Sequence, residues 1–77
     1  MPHVIIKLQS GRSAEQKIKI AKDVSEALVA SANCGEDAVS VSIEDVEPRD
    51  WVEKVYKPDI LGKPDTIYRQ PGYNPLQ

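Results

Sequence analysis

Two stretches of alternating hydrophobic and polar residues flank one stretch with helical spacing, and that order sets the expected fold. In residues 2–9, Pro2, Val4, Ile6 and Leu8 fall on one face of an extended strand, and His3, Ile5, Lys7 and Gln9 on the other. A first-position proline is compatible with a strand, because nothing there requires its missing N–H. The parity places Pro2 on the wholly apolar face. Ser10-Gly11-Arg12 breaks the strand, and Ser13-Ala14-Glu15-Gln16 reads as a capping box with Ser13 as N-cap and Gln16 reaching back. No Gly or Pro interrupts residues 14–32, where Ile20, Ala21, Val24, Ala27, Leu28 and Ser31 form one stripe at three- and four-residue spacing. Asn33 and Gly35 suit a left-handed cap at the helix end. Residues 38–46 alternate again, with Val39, Val41 and Ile43 against Ser40, Ser42 and Glu44, and predict a second strand.

Strand, helix, strand over this length is a βαβ unit, with parallel strands and a right-handed crossover. The expected fold class is therefore α/β (α+β), a single βαβ unit. Two parallel strands cannot form a covered sheet alone, so their open edges and face call for a second copy of the chain.

After Val46 the pattern is weaker. Pro48 is placed to open a short helix, in which Trp51 and Val55, and Val52 and Tyr56, pair four residues apart. Pro58, Gly62 and Pro64 punctuate the chain, and residues 64–70 are expected to add one or two further helical turns. Pro71-Gly72 signals a turn. The tail Tyr73–Gln77 is expected to pack on a neighbour or to be disordered.

Composition narrows the chemistry. Seventy-seven residues give a single domain over 1–77, of a size that buries only about 60% of its unfolded surface. Such domains lean on disulfides, metals or oligomerisation. Cys34 is the only cysteine and His3 the only histidine, which excludes an internal disulfide and disfavours a metal site. Oligomerisation remains. A net charge of −2, with three Tyr, one Trp and no Phe, offers neither a basic stripe nor a stacking platform for nucleic acid. No signal peptide or membrane-length apolar run is evident, so a cytoplasmic protein is expected.

The candidate chemistry begins at Met1-Pro2. An initiator Met is usually removed before a small residue, and removal would leave Pro2 with a free secondary amine. An α-amino group titrates near pH 8 in the open. Burial and nearby cations lower it, giving a base near neutrality suited to proton transfer.

The N-terminal Pro on a strand, the segment Gly11-Arg12-Ser13-Ala14-Glu15-Gln16-Lys17 opening a helix, and the parallel second strand together resemble the 4-oxalocrotonate tautomerase family. The resemblance runs from Pro2 to about Trp51. The closing Arg69-Gln70-Pro71-Gly72-Tyr73 looks like the short bacterial, phenylpyruvate-tautomerase-like branch. The resemblance implies that Met1 is cleaved and that Pro2 is the general acid/base. It implies that Arg12 binds the substrate carboxylate, often of a neighbouring subunit's site, and that Trp51 supplies an apolar wall. Where relatives carry a second, carbonyl-polarising arginine, this chain has Ser40, which leaves Ser40, a backbone N–H or water to hold the developing oxyanion. Arg49 and Arg69 are further candidates for that task.

The activity so implied is cofactor-independent keto–enol tautomerisation of a 2-oxo acid or its enol, in a homo-oligomer with a dimer favoured over a hexamer. The alternatives are a decarboxylase or hydratase on the same scaffold, with Asp37 or Glu44 orienting water, a non-catalytic oligomeric binding module, or a purely structural oligomer. His3 is expected at a surface or interface, and Cys34 as a structural thiol.

Overall fold

A computed structural model describes all 77 residues. Strand β1 spans His3–Gln9, helix α1 spans Ala14–Ala32 and strand β2 spans Ser40–Val46. The strands pair in parallel from His3 with Ser40 to Gln9 with Val46. This is the βαβ unit that the hydrophobic pattern requires.

The local signals explain its boundaries. Ser13 accepts from the Gln16 N–H at 3.1 Å, and the Gln16 side chain accepts from the Ser13 N–H at 2.9 Å, closing the capping box. Asn33 ends the helix in the left-handed region at φ 54° and ψ 53°. Gly35 does not share that role, because its φ is −80° and it opens a 3₁₀ turn over Glu36–Ala38. That turn shortens β2 by two residues at its start. The half-covered stripe of α1 runs through Lys17, Ile20, Ala21, Val24, Ser25, Leu28 and Val29, leaving Ala27 and Ser31 exposed. The stripe is rotated from the expected one and takes in Lys17, which forms an ion pair with Asp45 of β2.

Asp45 shares a sheet face with Val41 and Ile43, hence with Val4, Ile6 and Leu8 across the ladder. The Lys17–Asp45 pair therefore places α1 over the apolar face. Pro2, Val4, Ile6 and Leu8 are all half-buried, as the parity predicts, whereas His3, Ile5 and Gln9 are exposed.

Lys7 breaks the alternation by being half-buried on the other face. Its ammonium lies 2.5 Å from Asp59, which belongs to a C-terminal helix. That helix forms after a 3₁₀ turn over Pro48–Asp50 and spans Val52–Leu61 with the wider π-type hydrogen bonding. The expected break at Pro58 is not observed; the helix runs through it. A proline at that point has no N–H to place in the ladder, and the chain closes beyond it with the Gly62 N–H on the Lys57 carbonyl, five residues back. Residues 64–70 contribute only a 3₁₀ turn, Pro64–Thr66.

The single chain is poorly filled. Only Val55 and Tyr56 are buried, and Ile18 is 70% exposed. Its accessible surface is 5949 Å², against about 4,700 Å² for a folded monomer of this mass. Its radius of gyration of 14.0 Å exceeds the roughly 11.5 Å of a compact chain of this length. The excess area is of the order that one partner buries in a standard interface.

Candidate active site

Parallel pairing decides where the candidate residues stand. Pro2 precedes β1 and Ser40 begins β2, so both lie at the N-terminal end of the sheet. The Ser40 N–H donates to the Pro2 carbonyl at 3.2 Å. Ser40 Oγ lies 2.6 Å from His3 Nδ1. As the register partner of His3, it shares the face opposite that of Pro2. Met1 is fully exposed ahead of Pro2, and while it is attached the proline nitrogen is an amide. Asp37 sits at this same end, in the turn before β2, whereas Glu44 pairs with Lys7 in mid-strand.

Arg12 follows β1, and Trp51 follows β2, so both lie at the opposite end. They meet in an open cavity of about 400 Å³, lined also by Lys7, Leu8, Val52 and Tyr73. The Arg12 guanidinium donates to the Gln9 carbonyl at 3.3 Å, which folds it back over the strand end. Its side chain is otherwise exposed and makes no further hydrogen bond to the protein. Trp51 is half-buried, and its Nε1–H donates to Tyr73 Oη at 3.0 Å. Tyr73 packs against the buried Tyr56 with ring centroids 5.9 Å apart and planes at 42°. The tail thus packs on its own chain, because two aromatic partners from the C-terminal helix region receive Tyr73.

Lys7 supplies a second cation to this cavity and also lines a neighbouring groove with Ile5, Val55 and Asp59. The Asp59 hydrogen bond raises the Lys7 pKa above the ordinary lysine value, partial desolvation opposes the shift, and the charges of Asp59 and Glu44 add to it. Lys7 is therefore held charged and paired. Arg49 and Arg69 are exposed and line neither this cavity nor the groove. Cys34 is half-buried, with Sγ 3.7 Å from the Leu28 carbonyl.

The four residues singled out in the sequence fall into two pairs, Pro2 with Ser40 and Arg12 with Trp51. At about 3.3 Å per residue, the seven steps from Pro2 to Gln9 separate the pairs by roughly 23 Å in one chain. A small acid cannot span that distance. Sequence reasoning missed Tyr73 and Lys7. The signal for Lys7 was a lone cation inside an apolar strand; Tyr73 is joined to Trp51 across 22 positions, with no local signal.

Comparison with known proteins gives a consistent result. Residues 2–55 match the family described as tautomerase enzyme. A probable tautomerase of Xylella fastidiosa is 37% identical over 99% of this chain and 93% of its own length. Tautomerase PptA of Klebsiella pneumoniae is 39% identical over 96% of this chain and 99% of its own. A 4-oxalocrotonate tautomerase isozyme from Methylibium petroleiphilum superimposes with a TM-score of 0.61 at 27% identity, covering 62% of this chain and 75% of that one. The homologue YwhB gives 0.59 at 33% identity, covering 60% and 75%.

Proposed function

The chain belongs to the tautomerase family of isomerases, and from that premise we propose that it interconverts the keto and enol forms of a 2-oxo acid, with the Pro2 amine as general acid and base. The observation that carries this reading is the cavity at the C-terminal end of the sheet, where Arg12 and Trp51 face one space of about 400 Å³. That is within the range of small-molecule sites. It combines a planar cation suited to a carboxylate with an apolar wall suited to the rest of a small acid.

Pro2 reaches such a substrate from a second copy of the chain. The excess surface, the open sheet edges and the sparse core all favour assembly, and a two-fold dimer is the simplest closed form. Apposing the N-terminal end of one sheet with the C-terminal end of the other completes two equivalent sites. The fully exposed Met1 is open to removal, which turns the Pro2 amide into a secondary amine.

In each site Arg12 holds the carboxylate, and the apolar wall of Trp51 disfavours the charged form of the neighbouring amine. Neutral Pro2 takes the proton from the enol hydroxyl. Electrons move from oxygen through C2 to C3, and the prolinium returns the proton at C3, leaving the ketone and a regenerated amine. The reverse direction starts with proton removal from C3. No cofactor enters the cycle. Base and acid transfer of this kind is worth about 10²–10⁴-fold.

Intact mass and a phenylpyruvate enol assay test the reading together. Loss of Met1, turnover by the wild type and a drop of roughly 10²-fold in Pro2→Ala are expected. Retained Met1 in an active enzyme, or equal rates for the two proteins, contradicts the proline base.

A further inference from the structure

The reading above leaves one task without a residue, namely stabilising the negative charge that builds on the C2 oxygen when Pro2 takes its proton. C2 is bonded to the carboxylate carbon, so a group serving its oxygen must share the cavity of the group holding the carboxylate. Beside Arg12 and Trp51, the side-chain donors lining that cavity are Lys7, Gln9 and Tyr73. Lys7 is tied to Asp59 at 2.5 Å, and Gln9 is exposed at the strand end with no side-chain partner to fix its amide. Ser40 comes to the shared site with Pro2 from the second copy, but it lies on the sheet face opposite that of Pro2 and its hydroxyl is engaged with His3 Nδ1 at 2.6 Å.

Resting on that reading, we propose that the Tyr73 hydroxyl donates a hydrogen bond to the C2 oxygen of the bound acid and stabilises the enolate. The indole N–H of Trp51 is a donor only, so in the 3.0 Å contact Tyr73 Oη is the acceptor. The phenol proton is therefore not used on Trp51, and no protein acceptor takes it. Accepting the indole bond polarises the phenol O–H and strengthens it as a donor. Tyr73, 48% exposed, packs its ring on Tyr56, which is itself only 6% exposed, and this contact together with the indole bond directs the hydroxyl to the cavity before substrate binds. Tyr73 keeps its proton throughout. It strengthens its bond as the oxygen gains charge, which favours the transition state over the bound ketone. It takes the electrostatic task for which the sequence left Ser40, a backbone N–H or water as the options.

Tyr73→Phe tests this, since it preserves the ring and removes only the hydroxyl. The expected result is a kcat lower by about 10²- to 10³-fold with KM nearly unchanged. Inhibition constants for 2-hydroxy-3-phenylpropanoate and 3-phenylpropanoate, which differ only in the C2 oxygen, supply a readout independent of turnover. The wild type is expected to favour the hydroxy acid, and Tyr73→Phe to bind the two alike. Wild-type kcat and wild-type discrimination in Tyr73→Phe overturn the assignment and leave the proline reading intact as long as Pro2→Ala is impaired. Full activity in Pro2→Ala instead overturns the reading on which the assignment rests.

Discussion

Pro2 and Arg12 bracket β1 from opposite ends, one before His3 and the other beyond Gln9. The arrangement follows from parallel pairing: β1 and β2 start together, so whatever follows them ends together. Arg12 and Trp51 meet for that reason, and Pro2 is left with Ser40. The proposed function therefore depends on how the two ends are joined between copies of the chain.

The Arg12 half should behave as a carboxylate anchor. Arg12→Ala is expected to raise KM by about 10- to 100-fold, the worth of a charge-assisted hydrogen bond, with a smaller effect on kcat. Arg12→Lys should recover part of the loss, because the charge remains while the planar fork is gone. Steady-state kinetics on phenylpyruvate check both.

Trp51 should act on the proton-transfer group through its environment. An apolar wall disfavours the ammonium form of Pro2 and lowers its pKa. Opening that wall in Trp51→Ala should return the pKa toward the free-amine value near 8. The acid limb of the pH–rate profile then moves to higher pH, so the variant loses most activity relative to wild type below neutrality.

Stability should depend on protein concentration. With only Val55 and Tyr56 buried in the chain, much of the folding free energy has to come from the contact between copies. For a dimer of this size, each tenfold increase in concentration should raise the Tm by roughly 4 °C. A melting temperature independent of concentration across two decades would show that the monomer is stable by itself. Scanning calorimetry over that range measures it.

The end of the C-terminal helix is a tight point. A Cβ at Gly62 would stand 2.7 Å from the Pro58 carbonyl oxygen and 3.0 Å from that of Lys57. Both are backbone atoms and neither can swing aside. Gly62→Ala is expected to cost about 1–3 kcal/mol and to loosen the helix that carries Val55 and Tyr56. Chemical denaturation of the variant beside the wild type gives the value.

Much of the βαβ unit was legible because its signals are local. The alternation in residues 2–9, the Ser13–Gln16 capping box and the left-handed Asn33 each act within a few positions. What escaped was settled by distant partners. Pro58 reads as a break, yet Asp59 one residue later is drawn to Lys7 across 52 positions, and the helix passes through. The stripe on α1 takes in Lys17, whose partner Asp45 lies 28 positions away. Tyr73 in a short Pro- and Gly-rich tail looks free until Trp51 and Tyr56 are seen to hold it. Pro2, Arg12, Ser40 and Trp51 could all be named in advance from the resemblance. Their division between two ends was implicit in the parallel strands but not in any one residue.

Mixing two impaired variants tests the shared site most directly. Pro2→Ala and Arg12→Ala chains are unfolded together at equal amounts, refolded and assayed, at substrate well below the wild-type KM, against each parent alone. Half of the random two-fold dimers are then mixed, and each mixed dimer holds one site with an intact Pro2 facing an intact Arg12, so about one quarter of wild-type activity should return. If both residues served a site within one chain, no mixed dimer would contain an intact site. Activity no higher than the mean of the two parents would contradict the account.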